Sequence, residues 1–298
     1  MLPMLPYFQI IPGVIILEYI VLDQSKVTAL LPMRKHNSHK GDYGKILLLC
    51  GSRGFTGAAA LATMGALRSG AGLVYLAVPE SIYAIEAVKL TEPVILPLPD
   101  DNGTYAATAV PAILSMLSGK DAVLIGPGIG QSEGSKAVVQ AVLENFTGPV
   151  VLDADGINVL AAHKNILRER TNPTILTPHV GEFQRLGEPL DSDRITSAEK
   201  AAQNLGVIML LKGHETIITD GTITYKNTTG NPGMATGGSG DVLAGIITSL
   251  LGQGLSPLEA AACGAWLHGA AGDICAEEIG QYGMLPSDML SVLPRLLP

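Results

Sequence analysis

The sequence predicts an α/β fold, a mostly parallel central sheet with helices on both faces. Three observations carry this. Short continuous apolar runs, each bounded by glycine, proline or aspartate, recur along the chain, as strands buried on both faces require. Longer segments of helical character separate them. No internal repeat, low-complexity tract or interdomain linker interrupts the alternation, so residues 26–298 are expected to form one domain and residues 1–25 an N-terminal extension.

Residues 1–22 are apolar but broken by Pro3, Pro6 and Pro12, and they carry Glu18. The first cation is Lys26, so the basic start of a secretory signal is missing, and the stretch is too interrupted to span a membrane. It is expected either to pack on a neighbouring surface or subunit or to reflect an early start. Residues 45–50 are the first buried strand, leading into Gly51-Ser52-Arg53-Gly54-Phe55-Thr56-Gly57 and a small-residue helix over 58–68. The G-x-x-G-x-x-G spacing departs from the G-x-G-x-x-G dinucleotide fingerprint, which counts against a nicotinamide-binding Rossmann unit. Residues 73–78 form the next strand. Residues 122–125 form another, followed by Gly126-Pro127-Gly128-Ile129-Gly130 and a helix from about 133 to 145.

Residues 150–153 are a strand whose carboxyl end carries Asp153 and Asp155, with Asn158 beyond. Ligands of open α/β sheets sit outside the carboxyl ends of strands, although each of these groups could equally cap the next helix. Residues 174–176 lead through Thr177-Pro178-His179-Val180-Gly181-Glu182 into a further helix, which puts His179 and Glu182 on the same side. Residues 207–211 run into Lys212-Gly213-His214-Glu215-Thr216, where a lysine leaving a buried strand can reach phosphate as a point charge. Residues 216–219 and 222–225 flank Asp220-Gly221, the signature of a two-residue hairpin. Ser256-Pro257-Leu258-Glu259 is a capping box that opens a helix over 260–274. Its His268 and Asp273 read as packing or surface residues.

The stretch with the clearest chemistry is Thr236-Gly237-Gly238-Ser239-Gly240-Asp241, followed by an apolar helix. Free N–H groups at a helix start beside a glycine turn make an anion site. An acid gains nothing from standing beside bound phosphate, so Asp241 is better explained as a base that takes a proton from a hydroxyl. The alternative is a helix cap. With 47% hydrophobic residues, 15% charged residues and a net charge of −8, the surface is unsuited to nucleic acid or acidic membrane. Cys50, Cys263 and Cys275 follow no zinc or disulfide spacing and read as buried thiols of a reducing cytoplasm.

His39-Lys40-Gly41-Asp42-Tyr43-Gly44-Lys45, the Gly126 to Gly130 turn, Leu152-Asp153-Ala154-Asp155, Thr177 to Glu182, Leu211-Lys212-Gly213 and Gly237 to Asp241 together resemble the motif set of ADP-dependent NAD(P)H-hydrate dehydratase, from about residue 30 onward. The resemblance implies a ribokinase-like three-layer sandwich and a hydro-lyase that returns the S form of hydrated NADH or NADPH to the working cofactor. ADP would be consumed to AMP and phosphate, with ATP as the other nucleotide used in such enzymes. It further implies that Asp241 activates the ring hydroxyl while the loop amides, with Gly238, Ser239 and Gly240, stabilise the transferred phosphoryl group. By position, Lys212, Gly213, His214, Glu215, Thr216 and Gly240 would hold the nucleotide, and Gly57, Ala58, Gly130 and His179 would line the side of the hydrate.

The N-x-x-E motif of many related kinases has become His179-x-x-Glu182. Magnesium is therefore expected to arrive with the nucleotide through water, with Asp153 and Glu182 as outer-shell partners and no direct protein ligand. An epimerase half is not expected in the fewer than forty residues before the match, so pairing with a separate NAD(P)H-hydrate epimerase is implied. So is a homo-oligomer, a tetramer in the family. Two other readings of the same loop stay open, a kinase of a small alcohol or vitamin precursor and a non-catalytic nucleotide sensor.

Overall fold

The computed structural model describes residues 19–298. In chain order its strands are β1 (Ile20–Val21), β2 (Lys45–Leu49), β3 (Leu73–Pro79), β4 (Val94–Leu98), β5 (Asp100–Asp101), β6 (Thr104–Tyr105), β7 (Ala122–Ile125), β8 (Val150–Leu152), β9 (Thr174–Leu176), β10 (Ile208–Leu211), β11 (Thr216–Thr219) and β12 (Thr224–Asn227). Ten of them make one sheet in the order β1-β12-β11-β10-β9-β8-β7-β2-β3-β4, and β5 and β6 form a separate hairpin. Only β11 runs against its neighbours in the large sheet; the other adjacent pairs are parallel.

Strand order reverses between β2 and β7. From there β3 and β4 step outward one way, and β8, β9 and β10 step outward the other. Loops leaving the carboxyl ends of two strands at such a point diverge and open a crevice. Its floor is stitched together, since Gly51 N–H donates to the Pro127 carbonyl at 2.8 Å and Ser52 Oγ donates to that of Gly128 at 2.7 Å.

Both faces of the sheet are covered, which is why the strands are continuously apolar. Along β2, Ile46 and Leu48 enter one core, while Leu47 and Leu49 enter the other. On the first face the Thr56–Arg68 and Ser239–Gly252 helices meet backbone to backbone. A Cβ at Gly245 would fall 2.0 Å from the Ala62 carbonyl oxygen, and one at Gly65 would fall 2.6 Å from that of Val242. This close approach seats the start of the Ser239–Gly252 helix over the crevice.

Some elements differ from the sequence expectation. The Asp220-Gly221 hairpin forms with a four-residue loop, because Thr219 pairs with Thr224 and Asp220 Oδ1 accepts from the Thr222 and Ile223 N–H groups at 2.8 Å each. The carboxylate supplies partners that a tighter turn would take from backbone. Ile20 and Val21, read as part of an extension, pair in parallel with Tyr225 and Lys226 of β12. The extension before residue 19 lies outside the described residues. Strand β4 and the β5–β6 hairpin are additional; Pro97 is tolerated in β4 because that strand is an edge. The capping box at Ser256 forms, and its helix runs over Pro257–Glu278. All three cysteines are buried and free. Among the described residues no helix is long and apolar enough to cross a membrane.

Candidate active site

The Ser239–Gly252 helix begins where Gly238 adopts φ 98°, a left-handed geometry that glycine takes without strain. Ser239, Gly240 and Asp241 form the first turn, so their N–H groups have no helical acceptor and sit at the positive end of the helix dipole. Asp241 is half-buried. Burial pushes its carboxyl up from 3.8 to about 6, with Asp153 adding to the effect and Lys212 opposing it. Such a group is ionised at neutral pH yet basic enough to accept a proton from an attacking alcohol.

Lys212 follows β10 and returns toward this helix. Its Nζ donates to Asp153 Oδ1 at 2.8 Å and lies 3.8 Å from Glu182 Oε2. Asp153, at the end of β8, is buried and also accepts from Thr177 Oγ1 at 2.7 Å. Burial acts to lower the pKa of the Lys212 amine, but the two carboxylates outweigh it and hold the amine above its ordinary value. A Cβ on Gly240 would stand 3.3 Å from Lys212 Nζ and 3.7 Å from Asp153 Oδ2, so the cation rests against the first turn of the anion helix. The missing side chain at residue 240 makes that approach possible.

Six residues expected around a nucleotide, Lys212, Gly213, His214, Glu215, Thr216 and Gly240, line one cleft of about 660 Å³ together with Ser239. Met234, Leu243 and Ala265 give it an apolar wall. Glu215 keeps a left-handed φ of 54° and is tied to Lys226 Nζ at 2.7 Å. Arg194 braces the same loop from behind, donating to the carbonyl of His214 at 2.6 Å and to that of Leu211 at 3.2 Å.

His179 also lines this cleft, although sequence reasoning assigned it to the other ligand. Its Nδ1 accepts from the Gly181 and Glu182 N–H groups at 2.9 and 3.3 Å, and Glu182 Oε2 accepts from the His179 N–H at 2.9 Å. His179 and Glu182 thus cap the Val180–Arg185 helix reciprocally.

Gly57, Ala58 and Gly130 do not line the cleft; they sit on the rim formed by the loops after β2 and β7. Gly128 packs between Phe55 and Ala58, and Gly57 faces open space. Gly130 N–H donates to Asp155 Oδ2 at 3.0 Å, so Asp155 holds the second glycine turn. This rim adjoins the anion loop, because Leu61, one turn into the Thr56–Arg68 helix, lies against Gly238. Ser239 and Gly240 line the cleft, and Asp241 is the next residue of the same helical turn. Ala154, between Asp153 and Asp155, holds φ 49°, backbone strain of the kind found at functional sites.

Sequence reasoning missed His268. It is buried, lines the cleft, and places Nε2 3.2 Å from Ser239 Oγ. A histidine within a helix of alanine and glycine was the available signal, because a buried imidazole needs a partner.

A mostly parallel sheet covered on both faces, with a glycine turn that opens a helix carrying a carboxylate in its first turn, defines a ribokinase-like protein. The family model described as NAD(P)H-hydrate dehydratase matches residues 46–295, and the chain belongs to that family. It is 32% identical to the ADP/ATP-dependent NAD(P)H-hydrate dehydratase of Bacillus subtilis, co-crystallised with ATP and Mg2+, with a TM-score of 0.83 over 94% of this chain and 98% of that one. A ribokinase-like superfamily protein of Enterococcus faecalis is 27% identical, with a TM-score of 0.83 over 95% and 96% of the two chains. The bifunctional NAD(P)H-hydrate repair enzyme Nnr of Moorella thermoacetica is 44% identical over 274 residues, which are 90% of this chain and 52% of that protein. The chain spans about half the length of the curated relatives it matches.

Proposed function

We propose that this chain dehydrates the S form of hydrated NADH or NADPH, using ADP and releasing AMP and phosphate. The observation that carries the reading is Asp241, a carboxylate raised to about 6 in the first turn of the Ser239–Gly252 helix, directly after Ser239 and Gly240, which line the cleft. A hydroxyl placed there loses its proton to Asp241 as its oxygen attacks the terminal phosphorus of the nucleotide. The helix N–H groups and Lys212 take the charge that builds on the phosphoryl oxygens. AMP leaves and the ring oxygen carries phosphate. The lone pair of the ring nitrogen then expels phosphate, and loss of a proton from the neighbouring carbon restores the dihydropyridine.

Lys212, Gly213, His214, Glu215, Thr216 and Gly240 serve the nucleotide in this reading, and Gly57, Ala58 and Gly130 serve the hydrate. Magnesium fits the donors present. Asp153 directs Oδ2 toward Gly240 and Glu182 adds a second hard oxygen, a set suited to an ion that keeps its waters and rests on nucleotide phosphates. When bound, it would neutralise the phosphates. A cytoplasmic homo-oligomer acting beside an NAD(P)H-hydrate epimerase completes the proposal.

The test mixes purified protein, S-form hydrated NADH, magnesium and either nucleotide, and follows absorbance at about 340 nm, where the reduced ring absorbs. Recovery with ADP is expected. No recovery with ADP or ATP would overturn the assignment.

A further inference from the structure

The Pro257–Glu278 helix is built largely of alanine and glycine, and the chemistry above leaves two of its polar side chains, His268 and Asp273, unused. Asp273 secures a cleft loop, accepting from Gly230 N–H at 2.9 Å and from Asn231 Nδ2 at 3.0 Å. His268 does something else. Only 8% exposed, it lines the cleft with Nε2 3.2 Å from the Oγ of Ser239, itself 7% exposed and the first residue of the anion helix.

A phosphate oxygen can only accept, so a Ser239 hydroxyl that meets one gives its proton to the ligand. Its lone pair is then left for a donor, and the His268 imidazole is in reach. We propose that His268 is a positioning residue, donating from Nε2–H to Ser239 Oγ and thereby aiming the Ser239 hydroxyl at the terminal phosphate of the bound nucleotide. This rests on the reading of the cleft as a nucleotide site.

The residue type suits the task. Burial, reinforced by the Lys212 cation and only partly opposed by a hydrogen bond to the Ser239 backbone, pushes the His268 imidazole down to about 4. The ring is therefore neutral at working pH. It adds a donor to the site without a second fixed cation beside Lys212, which would hold the departing phosphate.

The test compares ADP with adenosine by titration calorimetry on the wild-type protein and on His268→Leu, His268→Gln and Ser239→Ala. Losing one hydrogen bond to a charged phosphate corresponds to about tenfold in affinity. His268→Leu should weaken ADP by about that factor and leave adenosine unchanged, while His268→Gln, which keeps an N–H donor, should recover most of the loss. Ser239→Ala should reproduce the ADP-specific loss, and adding His268→Leu to it should cost nothing further. If His268→Leu fails to fold, Ser239→Ala and His268→Gln decide the matter: Ser239→Ala that weakens ADP and adenosine equally removes the hydroxyl from phosphate binding and the proposal with it. Equal weakening of ADP and adenosine, or additive losses in the double variant, would overturn the proposal. Wild-type protein that binds no ADP would instead overturn the nucleotide reading and the inference with it.

Discussion

Replacing Asp241 by asparagine keeps the shape of the side chain and removes its charge. Two opposed outcomes are expected: turnover is abolished and the fold becomes more stable. Each tenfold change in proton affinity is worth about 1.4 kcal/mol. Moving the carboxyl from 3.8 to about 6 therefore means that holding Asp241 ionised costs the fold on the order of 3 kcal/mol. Below 3.8 the group is protonated in folded and unfolded chains alike, and wild type suffers no penalty. Between 3.8 and about 6 the unfolded chain releases its proton while the folded chain keeps it, so wild-type stability falls; above 6 the full cost is present. Asp241→Asn should thus exceed wild type by about 1 kcal/mol at pH 4.5 and about 3 kcal/mol at pH 8. Urea denaturation at the two pH values, with turnover measured on the same preparations, checks both. A variant no more stable than wild type at pH 8 would refute burial as the origin of the raised pKa, and retained turnover would remove Asp241 as the base.

Three more outcomes follow from the same geometry. In wild type, kcat/KM should fall as pH drops below about 6, where Asp241 takes up its proton, and a profile flat down to pH 5 would contradict its role. Lys212→Met strands Asp153 and Glu182 as uncompensated buried carboxylates, so a loss of about 3–5 kcal/mol is expected in chemical denaturation, together with weaker nucleotide binding. Gly245→Ala drives a methyl to 2.0 Å from the Ala62 carbonyl oxygen and should cost about 3 kcal/mol, read as a lowered Tm, although residue 245 does not line the cleft.

The interior of the sheet was legible because burial on both faces leaves an unambiguous mark. Residues 46–49 alternate between two cores yet are all apolar, and β7, β8 and β10 repeat the pattern. The edges were not legible. Strand β4 includes Pro97, and β1 is two residues long in a stretch whose neighbours in sequence say nothing about its partner β12. The site followed the same division. Asp153 and Lys212 could be found because each directly follows a buried apolar strand, and Asp241 and Glu182 because each is the acid in the first turn of a helix that opens on a glycine-containing turn. His268 could not, because its partner Ser239 lies 29 residues away and only the packing of two helices brings them together. His179 was located but not its setting, since its helix-capping hydrogen bonds depend on the turn that the structure reveals.

Product stoichiometry from a single reaction tests the central claim most directly. With S-form hydrated NADH, ADP and magnesium, the account predicts NADH, AMP and inorganic phosphate in equal amounts, all lost together in Asp241→Asn. A phosphorylated product that accumulates without NADH, or NADH that returns without nucleotide consumption, would contradict it.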